Sequence, residues 1–545
     1  MFIFPSSRLR HTRQFAAILG LSALIALPLA LPALCQSSAP TAQSRADANR
    51  DRILLVLPFD NRSGQFSLEW IREAAADLLS DRFTSAGFSP LSRADRVYAL
   101  DHLGLPQNFQ PSRASSLKLA QTLDADSIVV GSFKTEDGDI EAEAQIVDVP
   151  HLRMTKPVTA RGKLVDMIAV FDSLAWKLTR ELDPGFSGSE QTFIAAGKNL
   201  RVDAYEQYIR GITESDQSER LRHLQNAVKL SPAFSPAWMA LGREQYSAQQ
   251  YEQAAAAFAK VSSNSPDALE AGFDRGLSLI FSGNYAGAEQ SFAKVARILP
   301  LAEVINNQGV AISRQRHDGI ELYRKAVAAD PNNANYHFNL AVSLKRHGDT
   351  AAALAELAQC LKLHSNDSEA QSLLDAWKAP QPATGDIPDP LERIARTFDA
   401  VAFRQAGQML DSMDEARLAA LPAAVRAQKL AAQGHDYLDR GLLLEAERLY
   451  QSALETDPGN AAAHVGLAQV RQRAGDPENA RKEAQKALAI QPSADAYLVL
   501  GQLDLAASHL DEARKNASQA LRLNPGNKAA QELQHAIETK PTQKP

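Results

Sequence analysis

Residues 235–266 read SPAWMALGREQYSAQQYEQAAAAFAKVSSNSP, and residues 269–300 repeat the layout as LEAGFDRGLSLIFSGNYAGAEQSFAKVARILP. With each unit numbered from its first residue, Gly242 and Gly276 stand at position 8, Ala254 and Ala288 at 20, Phe258 and Phe292 at 24, and Pro266 and Pro300 at 32. The closing proline recurs outward. Pro232, Pro266, Pro300 and Pro331 lie 34, 34 and 31 residues apart, and Pro458, Pro492 and Pro525 lie 34 and 33 apart. A period near 34 closed by proline describes a helix–turn–helix unit that cannot bury its apolar face alone and stacks on copies of itself. The sequence therefore predicts a mostly α protein whose helical part is two solenoid arrays.

Other units keep the pattern. A shortened one carries Gly309, Gly319, Tyr323, Ala326 and Pro331, and the next has Leu340, Ala341, Gly348, Ala353 and Leu357. The second array repeats it through Gly434, Gly441, Ala446, Tyr450, Ala453 and Pro458, then Leu467, Gly475, Ala480 and Pro492, then Leu500, Gly501, Ala513 and Pro525. Small residues at 8, 20 and 27 let helices approach, large ones at 4, 7, 11 and 24 fill the space between them, a glycine near 15 closes the first helix, and proline stops the second. These positions resemble tetratricopeptide repeats, with about five units over 204–378 and about three over 427–528. Between the arrays, residues 379–390 hold Pro380, Pro382, Pro388 and Pro390 and read as a linker. Residues 391–426 are helical in pattern and are expected to form connecting or capping helices, while 529–545 end the last helix and fray.

The chain opens with Arg8, Arg10 and Arg13, no acidic residue before Asp47, and an apolar run over 15–34 broken by Pro28 and Pro32. This predicts a signal peptide over 1–35 and a disordered linker over 36–52, hence an exported, periplasmic or envelope-associated protein. An anchor over residues 15–34 or lipidation at Cys35 are the alternatives, and only they imply membrane contact. Without residues 1–35, 55 basic residues face 64 acidic ones, which gives no support for nucleic-acid binding. Cys360 is then the lone cysteine and reads as a buried structural thiol.

Residues 53–183 alternate short apolar runs with helical stretches, and Glu136-Asp137-Gly138-Asp139 is a hairpin turn between two β-rich runs. This predicts a small N-terminal α/β domain. The segments Leu55-Val56-Leu57-Pro58-Phe59-Asp60-Asn61-Arg62-Ser63-Gly64, Leu123-Asp124-Ala125-Asp126-Ser127-Ile128-Val129-Val130-Gly131-Ser132-Phe133 and residues 141–148 are similar, in this order, to the TolB-like amino-terminal domain. That resemblance implies protein contacts in the cell envelope and no enzymatic activity. The loop 60–64 has neither G-x-G-x-x-G nor G-K-[ST] after it, so it reads as a turn.

No H-E-x-x-H, G-x-S-x-G, P-loop or paired-cysteine motif occurs, and no cofactor or metal is expected. His337 and His464 fall at position 4, where they replace tryptophan as packing residues. In the tetratricopeptide resemblance, first-helix positions 2, 5, 9, 12 and 13 line a concave face. In the first array the candidate partner-binding residues are Arg243, Tyr246, Phe273, Leu277, Ile280, Asn306, Asn307, Arg314, Phe338, Asn339, Lys345 and Arg346. Apolar along one side and cationic at its far end, such a groove suits an extended or helical peptide with an acidic group or a C-terminal carboxylate. Asn307 and Asn339, both at position 6, resemble the asparagines with which some of these repeats hold a carboxylate. The expected function is a non-enzymatic exported scaffold for protein–protein interactions in the cell envelope. A ligand-sensing accessory subunit of an envelope or transport complex, and an enzyme with a site between domains, are the alternatives.

Overall fold

The computed structural model describes residues 53–106, 112–379, 389–397, 413 and 416–539. The expected signal peptide, the stretch to residue 52, most of the proline-rich linker and the last six residues lie outside these.

A mixed sheet begins the described chain. Its strands are β1 (Ile53–Val56), β2 (Asp60–Asn61), β3 (Ser89–Pro90), β4 (Ser127–Glu136), β5 (Asp139–Asp148), β6 (Arg153–Met154) and β7 (Val158–Lys163). The order is β3-β1-β4-β5-β6, with β2 beside β4 and β7 beside β5. β1 is parallel to β3 and β4, whereas β4 and β5 form an antiparallel hairpin from Ser127 opposite Asp148 to Glu136 opposite Asp139. Asp137 and Gly138 both have positive φ, 51° and 79°, which is the backbone that a two-residue hairpin turn demands. Along β5, Ile140, Ala142, Ala144 and Ile146 alternate inward against helices Ile71–Ser85 and Met167–Leu182. Helices Arg93–His102 and Arg113–Thr122 supply Ala99, Leu100, Leu119 and Ala120 to a second core with Leu55 and Ile128.

Helical hairpins follow. After Val202–Thr213 and Gln217–Leu230 come Ser235–Ser247 with Tyr251–Phe258, Ala268–Phe281 with Tyr285–Ile298, Ala302–Arg314 with Ile320–Ala329, and Ala334–Arg346 with Thr350–Leu363. Ser368–Lys378 ends the first array. The second pairs Ala423–Asp439 with Leu443–Thr456, Ala461–Arg473 with Pro477–Ile490, and Ala494–Ala506 with Leu510–Leu523, and ends on Lys528–Thr539.

The repeat positions have visible causes. A Cβ on Gly276 would stand 2.5 Å from the ring of Phe292, and one on Gly434 would stand 2.9 Å from that of Tyr450, so position 8 is bare because position 24 is aromatic. At position 15 every unit from 235 onward turns left-handed. Gly283, Gly348, Gly441 and Gly475 do so freely, and Gln249, Arg316 and Ser508 adopt φ of 59°, 62° and 63°. The shortened unit thus corrects an expectation: Arg316 closes its first helix, while Gly319, at φ −103°, starts the second.

Position 4 has a second job. Trp238 Nε1–H donates to the Pro232 carbonyl at 2.8 Å, and Gln531 Nε2–H to that of Pro525 at 2.8 Å. His337 and His464 do likewise toward Pro331 and Pro458, at 3.0 and 3.3 Å, with their Nδ1 atoms 2.6 Å from Glu356 and Glu483. They are buried, as packing residues are, yet they also satisfy a carbonyl left over where the preceding helix ends.

Both arrays are anchored to the α/β domain. Tyr205 and Ile209 of the first, and Leu444 of the second, belong to the core beneath β5. Tyr205 donates its hydroxyl to Asp77, and Glu447 accepts the N–H of Ser189 at 3.3 Å. Among the described residues no helix is long and apolar enough to cross a membrane.

Candidate functional site

The first helices of two units of the first array, Ala302–Arg314 and Ala334–Arg346, hold a stretch of the chain itself. Residues 389–397, Asp-Pro-Leu-Glu-Arg-Ile-Ala-Arg-Thr, have no helix or strand of their own. The helical pattern expected from residue 391 is therefore corrected over 391–397. Their backbone groups are claimed by side chains of the array, which removes the donors and acceptors that a helix would need.

Asn339 and Asn307 do most of this. Asn339 accepts the N–H of Arg393 at 2.6 Å and donates to its carbonyl at 2.7 Å. Asn307 treats Ala395 the same way, at 2.9 and 2.8 Å. Gripping residues 393 and 395 but not 394 is the two-residue period of an extended chain. Asn306 ties the pair together, donating to Arg393 O at 3.2 Å and to Asn307 Oδ1 at 3.2 Å while accepting from Asn339 at 2.8 Å. All three amides are fully buried, and an unpaired buried amide costs about 1–3 kcal/mol. The segment satisfies them.

Side chains add direction. Glu392 is buried between Arg346, which bonds it directly, and Arg314, whose Nε lies 3.4 Å from its carboxylate and which also donates to its carbonyl at 3.1 Å. Arg346 further reaches Asp389 at 3.2 Å and the Pro390 carbonyl at 2.8 Å. Arg393 lies 3.5 Å over the ring of Phe338 and pairs with Asp367 and Glu369, at 2.9 and 2.8 Å through Nη2. That hydrogen-bonded guanidinium holds the Asp367 carboxyl down to about 2. Ile394 packs on the array core, and Arg396 stands 5.4 Å over Phe281.

Of the residues singled out in the sequence, Asn306, Asn307, Arg314, Phe338, Asn339 and Arg346 converge on this segment. Phe273, Leu277 and Ile280 lie within the core on which Ile394 rests, Phe273 edge-on to Phe292. Tyr246 packs against Tyr251 and Phe281, Arg243 pairs with Glu270 at 2.6 Å, and Lys345 donates to Thr350 at 3.1 Å and covers Trp377. Asp367, Glu369 and Glu392 were missed because each reads as an ordinary surface carboxylate. Cys360 is buried, and burial, with Asp367 beside it, pushes its thiol up to about 11. In the loop 60–64, Asn61 accepts the Ser63 N–H at 3.0 Å and donates to Gln65 O and Glu69, both at 3.0 Å, so its amide is spent on the turn.

Asp274 occupies position 6 one unit before Asn307. Burial, and Glu270 nearby, push its carboxyl up to about 7 despite Arg243, and its charge helps to raise Tyr246. The folded chain thus keeps a proton between the ordinary 3.8 and about 7 that the unfolded chain has released, so this group's contribution to stability falls as pH rises through that window. Asp77 and Asp172, also pushed to about 7, act in the same sense. The Tm of Asp274→Asn is expected to drop less than that of the wild type between about pH 5 and pH 8. Equal drops in thermal scans would assign the pH dependence to the other two.

Tetratricopeptide-repeat family models match residues 239–303, 322–355 and 437–503. The chain carries tetratricopeptide repeats. Among solved structures, the first tetratricopeptide domain of human RPAP3 is 26% identical over 21% of this chain and 89% of that one, with a TM-score of 0.20. MamA is 16% identical over 29% of this chain and 94% of its own, with a TM-score of 0.27. The C-terminal domain of LpoB from Salmonella enterica is 18% identical over 21% and 82%, with a TM-score of 0.19. No curated protein matches the chain.

Proposed function

We propose that this protein is a non-enzymatic scaffold that recruits other proteins by gripping an extended peptide segment in the groove of its first array. The observation that carries this is the pairing of Asn307 and Asn339 with both backbone groups of alternate residues. Side chains that bind the peptide backbone itself accept a class of sequences, while flanking charges and an apolar floor select among them. An N-terminal signal over residues 1–35 would place the scaffold in the cell envelope, and the α/β domain, taken as TolB-like, would contribute contacts there.

Panning a random peptide library on the full chain carrying Glu392→Ala/Arg393→Ala/Ile394→Ala, which loosens the segment that fills the groove, tests it, with Asn307→Ala/Asn339→Ala added as comparator. A peptide class that enriches on the triple variant and disappears when the two asparagines are also replaced is expected. No enrichment, or enrichment that survives the asparagine replacements, would overturn the groove assignment.

A further inference from the structure

The groove is already filled, and its occupant spells out a ligand. Position by position, a buried acid meets Arg314 and Arg346, a guanidinium stacks on Phe338 between Asp367 and Glu369, an aliphatic side chain seats on the array core, alanine fills the Asn307 bracket, and a second guanidinium covers Phe281. Each contact joins the array to a segment 54 to 88 residues away in sequence wherever an asparagine is involved, so none depends on the segment being covalently attached.

We infer that residues 392–396 are a built-in competitor, and that the groove's external partner is a protein segment with the same chemistry: acidic, basic, aliphatic, small, basic, in extended form. This rests on the peptide-binding reading above and adds the ligand's pattern and its regulation. Charge complementarity fixes the pattern, because an acidic residue next to Asp367 and Glu369, or a basic one between Arg314 and Arg346, would set like charges together in a partly desolvated site. Attachment fixes the regulation. A tethered ligand acts at an effective concentration on the order of millimolar, so an external peptide sees the site only in the fraction of molecules where the tether has let go.

The test uses the full chain and a labelled peptide of residues 389–397. Glu392→Ala/Arg393→Ala/Ile394→Ala disables the internal segment and leaves the groove unaltered. That triple variant is expected to bind the peptide about tenfold more tightly than the wild type. Adding Asn339→Ala to it should remove at least about tenfold of the affinity, since two hydrogen bonds are lost. Binding by the triple variant no tighter than by the wild type would overturn the inference. As a measurement that needs no substitution, saturating peptide should speed hydrogen exchange at the Arg393 and Ala395 amides of the wild-type chain, and unchanged exchange would overturn it too. Library peptides of another pattern that are lost on Asn307→Ala/Asn339→Ala would sink this inference while the peptide-binding function stood. A wild-type dimer that dissociates on adding peptide would assign the groove to a second copy and overturn the separate partner.

Discussion

Replacing Arg82 with methionine will destabilise the α/β domain by about 3–5 kcal/mol, the cost of removing one partner from a buried ion pair. Arg82 Nε donates to Asp172 Oδ1 at 2.8 Å where Ile71–Ser85 crosses Met167–Leu182, and both side chains are buried. Space around the pair is tight: a Cβ on Gly197 would stand 2.3 Å from Asp172 Oδ2. On that side the carboxylate has no room to move, and with arginine gone it must stay charged and unpaired or take up a proton. Burial already pushes it up to about 7 with arginine in place, so without arginine it holds the proton more firmly still. A carboxyl raised in the folded state loses its contribution as pH rises from the ordinary value, so the deficit of Arg82→Met will be larger near pH 8 than near pH 5. Hydrogen exchange of the β4–β5 amides reads the domain apart from the arrays. Arg82→Met/Asp172→Leu should recover most of the loss, because an apolar pair of similar volume needs no desolvated charge. A double variant as unstable as the single one would show that packing, not the unpaired carboxylate, sets the cost.

Local chemistry was legible in the sequence, and long-range occupancy was not. Proline at position 32 and glycine at position 8 reveal the hairpins because each answers a constraint inside one unit, as Gly276 under Phe292 shows. Gln249, Arg316 and Ser508 hide the same turn, since a left-handed residue other than glycine leaves no compositional mark. Arg314 and Arg346 stood out by their concave positions, and Asn307 and Asn339 by their likeness to asparagines that hold a carboxylate; all four converge on one segment, where the asparagines hold backbone instead. Their occupant did not stand out. In the string Leu391-Glu392-Arg393-Ile394-Ala395, the apolar residues three apart suit a helix, and only the distant asparagines hold it extended. Phe273, Leu277 and Ile280 show the converse: concave positions in the unit become core once the neighbouring helices and Ile394 close over them. The return of the second array onto the α/β domain was equally hidden, because Glu447 reads as one more surface carboxylate until its partner surface is in place.

That return contact sets the second large effect. Glu447 is almost wholly buried between Leu443–Thr456 and the helix Glu190–Gly197, where it pairs with Arg471 at 2.5 Å and accepts the Ser189 N–H. Gln451 donates alongside it to the Ser187 carbonyl at 3.0 Å. Burial pushes the Glu447 carboxyl up, and Arg471 opposes that shift. Arg471→Met leaves the carboxylate in the contact without its cation, again at about 3–5 kcal/mol, but this energy has an outlet that Asp172 lacks. Array and domain are joined here by a seam, with Leu444 as the array's residue in the domain core, so undocking returns Glu447 to water without unfolding either part. The expected result is a larger radius of gyration in X-ray scattering and faster hydrogen exchange over 186–197, with exchange within Ala461–Arg473 and Pro477–Ile490 unchanged. Arg471→Met/Glu447→Leu, which leaves no charge to bury, should close the seam again. An Arg471→Met chain with wild-type scattering and wild-type exchange at Ser189 would show that the seam is held by Leu444 and its apolar neighbours alone.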